Sequence, residues 1–322
     1  MNLNILSSVK LPDAFLTEMQ SRYPGLSIVY TAKLTDVLDE DLASVELFVT
    51  FGNDVTPETL HKMRRLRWIQ VMQSGTDHLP FEQLLERNVL VTNARGINST
   101  AIAEYVIGMM LNLVKRNYAL YESQKISEWN TVVSTDELSG KTLGILGLGN
   151  TGEKIAKHAK AFDMNVVAIK RTGGGDKGEY VDRLLSAGEK NSLFELCDFV
   201  VVLLPLTPQT VNYISSRELS RMKKTSYLIN VSRGEVVNEA ALVDALYQKQ
   251  IAGAVLDVFE QEPLPEDHPL WRTDNVIITP HVAGDRFPAY MTRAFELLTE
   301  NIDGYLNGTK PMKNRVDLIN KY

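Results

Sequence analysis

The hexapeptide Gly147-Leu148-Gly149-Asn150-Thr151-Gly152 follows an apolar run at 142–146 and precedes a helical stretch at 153–162. Glycines at this spacing between a strand and a helix restrict the fold strongly, because each has a separate task. Gly147 permits a tight turn, Gly149 lets backbone approach a pyrophosphate, and Gly152 lets the helix pack close to the strand. The helix N-terminus beyond, with Asn150 and Thr151 in the turn, offers N–H groups and partial positive charge to phosphates. The turn therefore predicts a dinucleotide-binding, doubly wound parallel sheet.

The rest of the chain fits that prediction. Apolar runs at 142–146, 165–169, 199–204, 227–231, 254–258 and 276–279 read as six strands separated by helix-length segments. Earlier runs at 3–6, 27–29, 47–50, 68–71 and 89–92 alternate with candidate helices at 12–21 and 57–63, the second capped by Thr56. That βαβα rhythm predicts a second parallel sheet. Between the two series, Ile102, Val106, Met109, Met110 and Leu113 form one stripe of a helix expected over 100–122. A last helix at 289–306 should stop at Asn307-Gly308. With 322 residues, two domains of roughly 150 are expected.

Composition narrows the function. A net charge of −6 excludes a general nucleic-acid binder, since no basic excess exists to neutralise phosphates. The longest apolar run, 199–206, has eight residues against the roughly 20 of a membrane helix, so no membrane partner is expected. The first ten residues lack the pattern of a signal peptide. One cysteine, Cys197, allows no internal disulfide, and no CxxC offers a metal site; a reducing, cytoplasmic setting and no metal are the expectations.

Cofactor choice should lie at the end of the strand after the glycines. An NAD site usually places Asp or Glu there, about 20 residues on. Here the strand 165–169 runs into Lys170, Arg171 and Thr172. Cations at that point predict NADP, with its 2′-phosphate among these three residues; NAD is the alternative.

Three charged residues follow later strands: Arg233, Glu262 and His281. In a parallel sheet their loops leave at the carboxyl edge, beside the glycine turn. A carbonyl that receives a hydride develops negative charge on oxygen and needs a proton donor, for which His is suited. A carboxylate beside the imidazole favours its protonated form. An Arg can grip a substrate carboxylate and polarise the carbonyl.

These residues stand in recognisable segments: Leu204-Pro205-Leu206-Thr207-Pro208, Ile229-Asn230-Val231-Ser232-Arg233-Gly234, Leu256-Asp257-Val258-Phe259-Glu260-Gln261-Glu262-Pro263 and Thr279-Pro280-His281-Val282-Ala283-Gly284. With the glycine turn, they resemble the D-isomer-specific 2-hydroxyacid dehydrogenase family through nearly the whole chain. The resemblance implies an α/β protein with a Rossmann-type dinucleotide domain at 98–285. It implies a discontinuous, flavodoxin-like α/β substrate domain from 1–97 and 286–322. It makes Arg233 the substrate-binding Arg, His281 the acid/base and Glu262 its partner. Asp257 would contact the nicotinamide carboxamide, with Ser232, Pro205 and Thr100 also near the cofactor. Ser74, Gly75 and Thr76, in Gln73-Ser74-Gly75-Thr76-Asp77, match a loop whose N–H groups bind the substrate carboxylate. Lys170 departs from the acid found in NAD-dependent relatives.

The expected substrate is a small 2-oxo acid, among glyoxylate, hydroxypyruvate, pyruvate and branched 2-oxo acids, reduced to a D-2-hydroxy acid. A homodimer is the expected assembly, and closure of the domains over the substrate would exclude water. Two rivals remain. Corepressor-like regulators resemble the same family, and formate dehydrogenases carry Gln where Glu262 stands. His61, His158 and His268 are read as structural, as is Cys197; Trp129 and Trp271 are expected to pack, with a substrate lid or a partner subunit's site as the alternative. His78 and Phe51-Gly52 could line the substrate side.

Overall fold

The computed structural model describes residues 3–170, 178–284, 289–308 and 310–321. The chain divides into two compact units, one of residues 1–97 with 286–322, the other of 98–285.

In the first unit five parallel strands, β1 (Leu3–Ser7), β2 (Leu26–Tyr30), β3 (Leu47–Thr50), β4 (Trp68–Val71) and β5 (Leu90–Asn93), lie in the order β2-β1-β3-β4-β5. This is the flavodoxin-like order. Successive side chains leave opposite faces, so a strand buried on both faces is apolar throughout. Leu47 and Val49 of β3 pack with Trp68 and the helix Ala289–Asn307, through Ala294, Leu298 and Ile302. Phe48, between them, packs on the other face with Ile69, Leu60 and Met63. The returning helix is also fixed by polar contacts. Asn301 Nδ2 donates to buried Gln70 Oε1 at 3.0 Å, and the Tyr290 hydroxyl donates to the Met72 carbonyl. Thr56 caps Pro57–Lys62 by accepting from the Thr59 N–H at 3.1 Å.

The second unit holds seven parallel strands: β6 (Thr142–Leu146), β7 (Asn165–Ile169), β8 (Arg183–Leu185), β9 (Phe199–Val202), β10 (Tyr227–Asn230), β11 (Gly253–Leu256) and β12 (Val276–Ile278). Their order is β12-β11-β10-β9-β6-β7-β8. From β6 the chain first builds outward to β7 and β8, then starts again at β9 on the other side. A crevice opens at such a reversal, at the carboxyl ends of the strands. Phe199 and Val201 of β9 face one core, Val200 and Val202 the other. Cys197 is fully buried, and burial pushes its thiol up to about 12, so it serves as a small hydrophobe.

Three expectations need correction. β8 is a seventh strand, too short at three residues, Arg-Leu-Leu, to produce a period. The helix expected at 100–122 is two, Ser99–Lys115 and Asn117–Lys125, parted by Arg116 in the left-handed region at φ 55°. Neither glycine nor proline marks that break. Trp129 does not pack within the chain: it is 92% exposed, in a segment without regular structure after the second of these helices. Trp271 is half-exposed, its indole N–H donating to the Pro265 carbonyl at 2.8 Å. Among the described residues no helix is long and apolar enough to cross a membrane, and no group of three or more metal-ligating side chains gathers.

Candidate active site

The glycine turn connects β6 to the helix Asn150–Ala161. Gly147 has φ 105°, and a Cβ there would lie 3.0 Å from the Leu203 carbonyl oxygen of the loop after β9. A Cβ on Gly152 would reach the Gly147 carbonyl oxygen at 2.7 Å, so helix and turn are in contact. Around Gly149 the space is open, with nothing within 4 Å of a Cβ. No side chain caps this helix, and the first N–H returned to it is that of Glu153, on the Gly149 carbonyl at 2.9 Å. The N–H groups of Asn150, Thr151 and Gly152 therefore have no acceptor inside the helix. An open turn with three outward donors fits a pyrophosphate.

Lys170 is half-buried at the end of β7. Arg171 and Thr172, expected beside it, lie outside the described residues. Pro205 is exposed after β9, its carbonyl accepting from Thr210 Oγ1 at 2.6 Å. Thr100 stands in the first turn of Ser99–Lys115, where Lys154 Nζ donates to its hydroxyl at 2.8 Å.

Arg233 follows β10 in a turn held by Asn230. The Asn230 Oδ1 accepts from the Ser232 N–H and hydroxyl at 3.1 and 2.9 Å, and its Nδ2 donates to the Arg233 carbonyl at 2.9 Å. Arg233 itself turns one Nη1 onto the Ser232 carbonyl at 2.8 Å. Gly234 then meets the loop after β11 so closely that a Cβ would lie 1.9 Å from the Phe259 carbonyl carbon. The same loop is clasped once more: Glu239 and Glu260 each accept from the other's N–H, at 3.2 and 3.0 Å. Burial foremost, and the nearby Glu260 charge, hold the Glu239 carboxyl above its ordinary range, against the Glu260 N–H and His268, which sits 2.9 Å away.

Glu262 and His281 meet at the end of this loop and after β12. His281 Nδ1 lies 2.8 Å from Glu262 Oε2, while Glu262 Oε1 accepts from the Phe259 N–H at 3.1 Å. Both side chains keep access to solvent, at 41% and 36%. His281 has φ 54°, in the left-handed region, and its N–H donates to the Asp257 carbonyl at 2.8 Å. Asp257 itself is 2% exposed. Its Oδ1 accepts from the Thr279 hydroxyl at 2.5 Å and the Val282 N–H at 2.8 Å, and its Oδ2 from the Ala283 N–H at 2.9 Å. Tyr105 lies 2.7 Å from the Thr279 oxygen and must be the donor there, since the Thr279 proton is directed at the carboxylate. Burial, foremost, pushes the Tyr105 hydroxyl up to about 12, so it stays protonated. Asp257 thus holds the turn that carries His281. Asn230, Thr279 and Tyr105 were not singled out from the sequence; only the first two lie in segments that marked the site.

Arg233, Glu262 and His281 all leave the carboxyl edge of one sheet, as do the glycine turn and Ser232. Ser74, Gly75 and Thr76 occupy the equivalent edge of the first unit, after β4. Asn93 Nδ2 donates to the Ser74 carbonyl at 2.8 Å, and Thr76 is buried. In the same unit Gly52 has φ 100° and presses on the His78 imidazole, where a Cβ would come within 2.4 Å of Nε2.

The chain is similar to several known proteins. The family described as D-isomer specific 2-hydroxyacid dehydrogenase, NAD binding domain, matches residues 107–283. A glyoxylate reductase of Thermofilum pendens is 35% identical over 286 residues, 86% of this chain and 82% of that protein. A D-isomer specific 2-hydroxyacid dehydrogenase of Xanthobacter autotrophicus, solved with NADPH and MES, is 28% identical with a TM-score of 0.82, covering 100% of this chain and 99% of its own. D-lactate dehydrogenase of Aquifex aeolicus, solved with NAD and lactic acid, is 27% identical with a TM-score of 0.77, covering 95% and 96%.

The contact at Gly234 can be tested by substitution. Gly234→Ala should force the Arg233 turn off the Phe259–Glu260 backbone, lowering stability by about 1–3 kcal/mol. Denaturant unfolding should show that loss, and a variant as stable as the parent would mean the two loops are not locked together.

Proposed function

Because the chain belongs to the D-isomer specific 2-hydroxyacid dehydrogenases, which are oxidoreductases, we propose that it reduces a small 2-oxo acid to its D-2-hydroxy acid with NADPH. The observation that carries the reading is the His281 Nδ1–Glu262 Oε2 contact of 2.8 Å beside Arg233 and the glycine turn. Bound at that turn, a reduced nicotinamide would supply hydride to the substrate carbonyl carbon. The chain's own residues supply the rest. Glu262 orients the imidazole through Nδ1, so that Nε2 faces the substrate and delivers the proton to the carbonyl oxygen. Arg233 takes the substrate carboxylate and polarises the carbonyl. By the family resemblance, the main-chain N–H groups of Ser74, Gly75 and Thr76 in the first unit are donors for a substrate carboxylate. Asp257 acts from behind, as the anchor of the His281 turn.

Lys170 supports NADPH over NADH, since a cation at the end of β7 stands where an acid would read the ribose hydroxyls. The glyoxylate reductase relative supports glyoxylate as substrate, and hydroxypyruvate stands beside it by the family resemblance. A homodimer is supported by Tyr118, Ile126, Trp129 and Val132, all more than half exposed along one short segment. Isolated large apolar groups are ordinary on a surface, but a cluster of them favours burial against a second copy.

Three measurements check these statements. In a panel of glyoxylate, hydroxypyruvate, pyruvate and branched 2-oxo acids with both reduced cofactors, the first two with NADPH should give the highest kcat/KM. A clear NADH preference would reject the role given to Lys170. His281→Gln should lower kcat by about two to four orders of magnitude while dinucleotide affinity holds; near-normal turnover would refute the proton-donor assignment. Sedimentation velocity should find twice the mass of the chain, and a monomer at micromolar concentration would remove the dimer.

A further inference from the structure

The helices Ser99–Lys115 and Asn150–Ala161 lie in one unit and meet at their N-terminal turns. Ser99 Oγ is 3.0 Å from Thr151 Oγ1, and Lys154 Nζ donates to Thr100 Oγ1 at 2.8 Å. Side chains of a helix lean toward its N-terminus, so the stem of Lys154 runs back over the first turn, on the face it shares with Thr151. The half-buried ammonium therefore sits at the positive ends of two helix dipoles. A cation is favoured at the opposite end of a helix and disfavoured here. Among the described residues no carboxylate pairs with Lys154, and its one polar contact is a neutral hydroxyl.

Such an arrangement is balanced when an anion joins it. We infer that Lys154 supplies the positive charge that binds the pyrophosphate of the dinucleotide at the glycine turn. The inference rests on the dehydrogenase function proposed above. The turn at 147–152 carries no cation of its own, and Lys154 is the first cationic residue after it. The other donors at this corner agree. Because Thr100 Oγ1 accepts from Lys154, its own proton is available to a phosphate oxygen. Ser99 and Thr151 share one hydrogen bond between two hydroxyls, which leaves one proton to donate outward. Together with the N–H groups of Asn150, Thr151 and Gly152, the corner offers donors from both helices around one charge.

The competing role is a brace that ties the two helices through Thr100. Calorimetric titration of the full chain with ADP-ribose separates the two, using wild type, Lys154→Met and Lys154→Arg, with the melting temperature of each free protein. Lys154→Met should raise Kd about 10-fold, with the melting temperature unchanged, and Lys154→Arg should recover most of the affinity. An unchanged Kd in Lys154→Met overturns the inference. A raised Kd that follows a lowered melting temperature and is not recovered by Arg also overturns it, in favour of the brace. Wild type that binds neither ADP-ribose nor a nicotinamide dinucleotide would overturn both the inference and the function beneath it. Wild-type binding with an indifferent Lys154 overturns the inference alone.

Discussion

A buried carboxylate without donors costs several kcal/mol, so Asp257, 2% exposed, commits its neighbourhood to providing them. The donors it finds are the Thr279 hydroxyl and the N–H groups of Val282 and Ala283, while its own carbonyl accepts from the His281 N–H. Four hydrogen bonds from one residue thereby shape the turn around His281 and offset the left-handed backbone at φ 54°, which a side chain other than glycine rarely adopts. The imidazole position, and with it the contact to Glu262, follows from that anchor. The function of the turn is thus set by a residue whose own side chain faces inward, toward Thr279 and the Tyr105 hydroxyl behind it.

The second constraint is how closely loops of one sheet edge approach one another. Gly234 stands against the Phe259–Glu260 backbone with no room for a Cβ, and Glu239 and Glu260 exchange hydrogen bonds across the same gap. Arg233 and Glu262 flank this seam. Parallel topology brings the loops to one edge, but it does not set their spacing; the glycine and the paired glutamates do. Activity placed on loops needs such local fixing, because the loops lack the ladder bonds that hold strands.

Much of this was legible in the residues. Strands buried on both faces appear as mainly apolar runs, and 47–50, 68–71, 142–146 and 165–169 coincide with β3, β4, β6 and β7 to the residue. The charged residues of the site were visible because each follows such a run by a few positions. What the sequence did not reveal depends on partners far along the chain. β8 is ordered by pairing with β7, since its three residues carry no period of their own. The break at Arg116 hides because apolar and polar residues continue across it with helical spacing. Asn230, Thr279 and Tyr105 are ordinary residues in strands, turns and helices until the fold sets them against Ser232, Asp257 and one another. The resemblance makes Asp257 a cofactor contact, and the hydrogen bonds give it a further, structural task. Its three accepted bonds show a structural commitment that no spacing in the sequence could display.

Charge follows the same division between sum and place. A chain of net charge −6 repels anions only on average, and screening confines that average to about 8–10 Å. At the glycine turn the relevant charges are local ones: the ammonium of Lys154, the N-termini of two helices and the half-buried Lys170 at the end of β7. Helix termini do not enter a residue count, and they are absent until the helices form. The positive corner is therefore a product of folding as much as of sequence. It explains how an acidic protein can present an anion site without a basic surface: the field comes from backbone dipoles, and a single well-placed lysine can add a full charge to it.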